Sequence, residues 1–577
     1  MTGTKTFAGM CGASGFVVAL LATGCTGRIS GGQPGGTGPG PVANGGAGAG
    51  AAASGVGGGA PVESPSPRLL RQLTVAEYAS TTADLLHLPN VDTSAIPPDV
   101  AVDGFTTNVL AAFVSDTSMD AYNSTAGTLG DRAVAESFAT LVPCTTQDAT
   151  CASTFVDQFG LRAFRRPLTA DEHARYAALF AAPLTGGDFK TGVGLVVKSM
   201  LVSPYFLFRS ELGADLGNGT FKLTPYETAT ALAYTYWGTM PDAALFAAAQ
   251  SGALANKSEI ETQARRLLAD PRGRARVASF FYEWMDSPRA YDTTKDMGTY
   301  PDFFSQPGGT DALVDAMRAE EDAFVANVVF DSTKKFDELF SANYVYVNDL
   351  LAKYYGLTPP GSTTAQKVML PAGAARGGLL TLGMFLVGHA RTNESSPTQR
   401  GHMIRANILC SDVPPPPPNV NTAFSPGTPG VTAREQIEAL TGSGVCVTCH
   451  SLMNPIGFGL EDFGGDGVER ATDNGEKVDT TGVLNGFNDP KTGMAYAFDG
   501  PRQLSAILAS SSDARACFAK NYHRYARGFA AAGVDEGAVD KLTQAFVAQN
   551  LDLPELFVQV ALQDSFVLRR SAEVIAR

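Results

Sequence analysis

Apolar residues recur along this chain at helical spacing, and several of the runs open on the same short phrase. Leu73-Thr74-Val75-Ala76-Glu77, Leu168-Thr169-Ala170-Asp171-Glu172, Leu223-Thr224-Pro225-Tyr226-Glu227 and Val431-Thr432-Ala433-Arg434-Glu435 each set a threonine three residues ahead of a glutamate. The threonine hydroxyl accepts from the N–H three residues on, and the glutamate accepts from the threonine N–H. Each phrase therefore predicts a helix start closed by a capping box. Pro225 falls at the first helical position, where its missing N–H leaves no bond unmade. Ser258 with Glu261 predicts a further start, followed by Ile260, Ala264, Leu267 and Leu268 on one face. Asp270-Pro271-Arg272-Gly273 ends that helix, and the chain resumes helical through Trp284. Asp311 to Phe330 reads as another amphipathic helix. The sequence between these starts matches at no fixed period, so they punctuate a mainly α chain and do not repeat a unit.

The two ends of the pattern differ from its middle. Lys5 precedes an apolar run from Phe16 to Ala22, and small residues lead to a cysteine in Leu21-Ala22-Thr23-Gly24-Cys25. This predicts a signal peptide over 1–24 and resembles a bacterial lipoprotein signal, which implies lipidation of Cys25. Leu21 stands one position further from the cysteine than such signals place it, so ordinary cleavage and an uncleaved anchor are the alternatives. The run is too short to span a bilayer as a helix. From Ile29 to Val62 no residue is charged, and Gly, Ala, Pro and Ser dominate. Such a tether (25–66 in all) has a root-mean-square span of roughly 35 Å. The helical body then divides into segments 67–135, 136–215 and 216–375, with 376–500 and 501–577 after them. Pro414 to Pro418 impose a polyproline II rod of roughly 15 Å, read as a rigid spacer.

Composition adds limits. The 577 residues are 44% hydrophobic, enough for several cores, and the formal net charge of -14 argues against a nucleic-acid partner. No serine sits in a Gly-x-Ser-x-Gly turn, so nucleophilic hydrolysis has no support. Asp462 and Asp466 lie in a glycine-bearing loop whose spacing does not match an EF-hand.

The chemistry concentrates in Cys446-Val447-Thr448-Cys449-His450. Cys-x-x-Cys-His is the attachment site of a c-type haem: Cys446 and Cys449 form thioethers with the vinyl groups, and His450 becomes the proximal iron ligand. One haem c is expected. Half of a zinc site, a redox dithiol or a chance match are the alternatives; no second close Cys or His pair completes a zinc set, and the flanks offer no βαβ setting. The sixth iron position is open between Met494, in Lys491-Thr492-Gly493-Met494, and His389, with His402 behind them. Met453 is too close to His450 to reach the opposite face. Arg391, Arg400 and Arg405 could hold haem propionates or serve as ordinary ion-pair residues. After the motif, Asn454-Pro455 predicts a turn. Gly457 and Gly459 predict close approach of backbone to a flat ring, and Phe458, Leu460 and Phe463 a dry pocket. The remaining cysteines pair naturally: Cys144 with Cys151 across a short polar loop, and Cys410 with Cys517 as a clamp around the haem segment, two free thiols being the alternative for the latter.

The order of several stretches resembles the large exported planctomycete-type cytochromes, built from a chain of domains of unknown function. The resemblance rests on Arg71-Gln72-Leu73-Thr74-Val75-Ala76-Glu77-Tyr78 with Gly104-Phe105, on Phe159 to Thr169, on Ser203-Pro204-Tyr205-Phe206-Leu207-Phe208-Arg209 with Tyr236-Trp237-Gly238 and Pro241-Asp242, on Ser396 to Gly401, and on Phe498-Asp499-Gly500 with Tyr525-Ala526-Arg527-Gly528. Gly464 and Thr106-Thr107 depart from the pattern. The resemblance implies a single c-type haem within a multidomain exported protein, and supplies no reaction. The expectation is therefore a mainly α, multi-helix body followed by a small c-type cytochrome-like helical domain, held at the cell envelope (periplasm or outer surface) by a lipid anchor and passing electrons to a redox partner protein. An envelope oxidoreductase, whose helical body binds a substrate, and a surface scaffold with a structural haem are the alternatives; whether the protein is an enzyme is left open.

Overall fold

Helix accounts for 56% of the structure and strand for 11%, so the fold is mainly α as expected. The computed structural model describes residues 63–111, 114–414, 430–529 and 535–571, all within one compact unit that spans residues 56–577. The signal peptide, Cys25, the tether up to Val62 and prolines 415–418 lie outside the described residues. Among the described residues no helix is long and apolar enough to cross a membrane.

The capping phrases act as read. Thr74, Thr169, Thr224 and Thr432 each accept from the N–H of the glutamate three residues on, and each glutamate bonds back, at the starts of helices Val75–Leu86, Ala170–Ala177, Pro225–Tyr236 and Ala433–Thr441. The Ser258 start is corrected. That helix runs Lys257–Ala269 from Asn256, whose carbonyl already accepts from Glu259 and Ile260, so Ser258 sits inside the first turn and caps nothing. Asp270 ends it and caps the next helix, Pro271–Trp284, through the N–H of Arg272. The run from Asp311 falls in a helix Gly309–Ala326 that widens into a π-helical turn, Asn327–Asp331.

Strands are short and join distant parts. Ser66–Pro67 pairs in parallel with Leu568–Arg570, which pairs antiparallel with Thr220–Lys222, and that strand pairs with Ala214–Gly217. Leu69–Gln72 pairs with Phe208–Glu211, with Arg71 opposite Arg209. The first and last described elements of the body thus meet in one sheet. The largest core crosses the segment boundaries drawn from sequence: Phe105 stacks on Phe280 and meets Tyr525 edge-on, and Phe280 packs against Trp284, Phe518 and Tyr522. A second core gathers Tyr78, Phe155, Phe180 and Phe206. Cys144–Cys151 and Cys410–Cys517 are both disulfides, with Cα separations of 5.9 and 5.4 Å, as expected.

Candidate functional site

Cys446 to His450 form the first turn of a helix, Val447–Phe458, closed by the His450 N–H to the Cys446 carbonyl at 3.1 Å. Residues three apart on a helix share a face, so both thiols lie on one side of this turn. Among the described residues Cys446 and Cys449 are the free cysteines, and both are half-buried. Cys449 Sγ lies 3.8 Å from the carbonyl of Pro414, where the proline segment begins.

The orientation of His450 follows from a chain of hydrogen bonds. The Thr441 hydroxyl donates to the Ile437 carbonyl at 2.6 Å, so it can only accept from Asn454 Nδ2, at 2.9 Å. That fixes the Asn454 amide with its oxygen turned the other way. The oxygen accepts from the Thr398 hydroxyl at 2.8 Å and faces His450 Nδ1 at 3.1 Å. Nδ1 must therefore carry the proton, which leaves the lone pair on Nε2 for a ligand. Asn454 is only 5% exposed, so water does not compete for these bonds. Asn454, Thr398 and Thr441 escaped the sequence reading. Asn454 stands four residues after His450, on its face of a helix, but its neighbour Pro455 reads in sequence as a turn that would end that helix.

Pro455 does not turn the chain; it lies inside the helix. The carbonyl that its missing N–H leaves unbonded is that of Ser451, and Asn485 Nδ2 fills the gap at 2.8 Å. Asn485 belongs to a strand, Thr481–Asn488, which forms a hairpin with Ala495–Asp499 and packs along the motif helix. The glycines are corrected as well. A Cβ on Gly457 would overlap the Pro397 carbonyl, and one on Gly401 would overlap that of Met453. They let the helix Pro397–Met403 cross the motif helix with backbones in contact. Gly459 is filled by the Phe498 ring, not by open space for a flat ligand. Phe458, Leu460 and Phe463 are core residues, 3%, 0% and 0% exposed.

The two candidates for the sixth position stand apart in character. Met494 is 68% exposed on the loop of the hairpin that packs along the motif helix. His389 is 1% exposed; its Nδ1 bonds the Phe385 carbonyl at 3.0 Å and its Nε2 faces Asp286 at 3.6 Å. His402 reaches the surface, yet its ring is partly desolvated by its neighbours, and this first, then His389 and Arg289, holds its pKa below the usual range. Of the arginines, Arg400 is fully buried and donates to the carbonyls of Leu460, Phe463, Leu386 and Gly464, so it holds the loop after the motif helix and has no reach to a propionate. Arg391 pairs with Glu394 at 2.9 Å. Arg405 is 6% exposed, donates to the Asn485 carbonyl at 2.8 Å and lies over Phe487.

The residues at the motif fit a haem on two counts. The reactive set is two free thiols and an imidazole with Nε2 unbound, two attachment points and one iron ligand on one turn. The residues around it are apolar and unusually open: Leu440, Val445 and Val447 are 58%, 66% and 40% exposed. Scattered single apolar residues need no explanation, whereas three within eight positions of a ligand motif suit a surface that a macrocycle covers. Among the described residues no group of three or more His, Cys, Asp or Glu side chains is placed to hold a bare metal ion.

Five family models match the chain in series. They are the proteins of unknown function DUF1587 (residues 71–135), DUF1595 (151–211), DUF1592 (223–357), DUF1588 (376–473) and DUF1585 (496–566). The DUF1588 model, which bears the short name PSCyt3, contains Cys446 to His450. This is the chain of domains that the sequence resemblance implied. No curated protein and no solved structure matches the chain.

Proposed function

We propose that this chain of five domains, typical of planctomycete cytochrome-like families, carries one haem c on Cys446 and Cys449, with His450 as the proximal ligand, and serves electron transfer at the cell envelope. The observation that carries the reading is the fixed ring of His450. Asn454 and its two threonines hold Nδ1 as a donor and keep Nε2 free, which is what an iron ligand requires. Cys446 and Cys449 would hold the ring edge, and the open apolar side chains of Leu440, Val445 and Val447 would exclude water from it. Bound there, the group supplies a one-electron couple whose potential depends on its axial ligands and burial. The Gly401–Gly457 crossing and the Asn485 bond to Ser451 keep the helix rigid beneath the ligand. Export and the lipid anchor at Cys25 belong to the same proposal, because covalent attachment of haem to such motifs takes place outside the bacterial cytoplasm.

The test is a pyridine haemochrome spectrum of protein produced with cytochrome c maturation factors. One haem per chain is expected, lost when both thiols are changed to serine. His450→Ala is expected to retain covalent haem and change its axial spectrum. Absence of any haemochrome would sink the proposal. Carbon monoxide then separates an open iron from one capped by Met494 or His389.

A further inference from the structure

Arginines that the haem proposal leaves unused converge on one buried place. Arg71, Arg209, Arg527 and Arg569 are 4%, 4%, 1% and 0% exposed, and Arg276 joins them. They come from opposite ends of the body: Arg71 from its first strands, Arg209 from the partner strand, Arg527 from the end of the helix Ser512–Arg527, and Arg569 from the last strand. Gly528 follows Arg527 in the left-handed region at φ +64, and a Cβ there would overlap the Arg71 guanidinium.

Acid does not match base here. Glu211 accepts from Arg71 at 3.2 Å and Arg569 at 2.6 Å, while Glu77 pairs with Arg276 at 3.1 Å and Arg209 at 3.7 Å. Glu283 also acts on Arg276. Glu63 binds the Ser565 N–H, but Lys541 pairs with it at 3.3 Å and cancels its charge. The C-terminus of the Arg527 helix adds about half a negative charge. Among the described residues, five guanidiniums still exceed the acids that face them. Their mutual repulsion is felt: Arg527 is pushed down to about 9 by burial and then by Arg569, and Arg71 to about 10 by burial and then by Arg209. Uncompensated charge in a core is among the costliest arrangements a fold can hold.

The unmet donors gather around Ser565. Its carbonyl accepts from Arg527 Nη2 at 3.2 Å, Arg569 Nη1 at 2.9 Å and the Ser66 hydroxyl at 3.0 Å. Beside it, Arg527 Nε and Nη1 and Arg569 Nε are buried with no hydrogen-bond partner among the described residues, and the Ser565 hydroxyl, buried with no bond of good geometry, faces the Glu63 carboxylate that Lys541 pairs with. His523, one turn before Arg527, is 1% exposed, and neither ring nitrogen has a hydrogen-bond partner among the described residues. Burial, then Arg527 and Arg524, push its pKa down to about 3, so the ring stays neutral and adds no further cation. Ordered water would satisfy these donors and leave the charge excess in place; a small anion does both.

We propose that the unpaired donors of Arg527 and Arg569, with the Ser565 hydroxyl, form a buried binding site for a small monovalent anion of the halide class, which completes the junction between the first and last elements of the body. The experiment is a crystal structure of the full chain in sodium bromide. An anomalous bromine peak within roughly 3.5 Å of Arg527 Nη1 and Ser565 Oγ is expected. Water or no density there, with bromide visible on the surface, overturns the proposal. A solution readout runs beside it. Replacing gluconate with chloride at constant ionic strength should raise Tm saturably, as ligand binding to the native state does. Ser565→Ala, a change too small to unfold the core, should blunt that rise, and Arg527→Gln should abolish it. An equal response in wild type and both variants overturns the site, since only general salt effects would then remain.

Discussion

At the scale of single residues, Asn454 is the side chain on which the proposed site turns. Its amide oxygen faces His450 Nδ1, and nothing in Cys-x-x-Cys-His announces it. Asn454→Leu removes that acceptor and strands the hydroxyls of Thr398 and Thr441. The expected outcome is a loss of about 1–3 kcal/mol of stability, the cost of buried polar groups left unpaired. It should also shift His450 from the Nδ1–H tautomer toward Nε2–H, read from ring 15N shifts of the haem-free protein. A wild-type protein already in the Nε2–H form would refute the assignment. Lys295 offers an independent residue-scale prediction. It is 5% exposed, donates to the carbonyls of Val387 at 3.1 Å and Arg391 at 3.2 Å, and is pushed down to about 7 by burial and then by Arg400. A lysine in the unfolded chain titrates near 10.4. Between about pH 7 and 10 the unfolded chain thus binds the extra proton, so stability rises with pH across that window and this contribution is gone below it. Denaturant midpoints from pH 6.5 to 9.5 should show the rise, and Lys295→Met should flatten it.

At the scale of elements, the local signals were legible and the crossings were not. Four capping boxes were read from Thr-x-x-Glu because both partners lie within one turn. Asn454-Pro455 was misread because the rule for proline is also local. It assumes that no outside donor will serve the orphaned carbonyl, and Asn485 does so from a hairpin more than thirty residues away. The glycines failed for the same reason. Gly457 was assigned to a ligand, whereas it meets Pro397 of a helix that begins 60 residues earlier in the chain. Gly457→Ala should therefore destabilise the fold by about 1–3 kcal/mol or more, as overpacking does, even in haem-free protein. Gly459→Ala, against the movable Phe498 ring, should cost less. Equal midpoints for wild type and Gly457→Ala in chemical denaturation would contradict the close crossing.

At the scale of the molecule, the segments behave as parts of one body. Phe105, Phe280, Phe518 and Phe557 share a single core, although they fall in three of the segments drawn from sequence. The Cys410–Cys517 disulfide, with a sequence separation of 107, closes a loop that contains the entire motif helix and its hairpin. A cross-link of that length limits the unfolded chain strongly. Replacing both cysteines with serine should lower the unfolding free energy by about 2–5 kcal/mol. Cys144–Cys151, with a separation of seven, should contribute less. Thermal unfolding of the two double variants side by side checks the order.

The sequence by itself determined the mainly α class, four of the helix starts and the thiol pair with its histidine, and it narrowed the cysteine pairings to the two that the fold makes. These depend on residues within a turn of one another, or on a count of thiols that leaves few choices. Only the tertiary structure decided which way the His450 ring points, what the glycines are for, and that Arg71, Arg209, Arg527 and Arg569 meet. Those outcomes rest on partners far apart in the chain, 140 residues for Arg71 with Glu211 and 499 for Ser66 with Ser565. Hydrogen bonds and charge pairs of that kind are set by which cores close on which. No periodicity or spacing along the chain encodes their geometry.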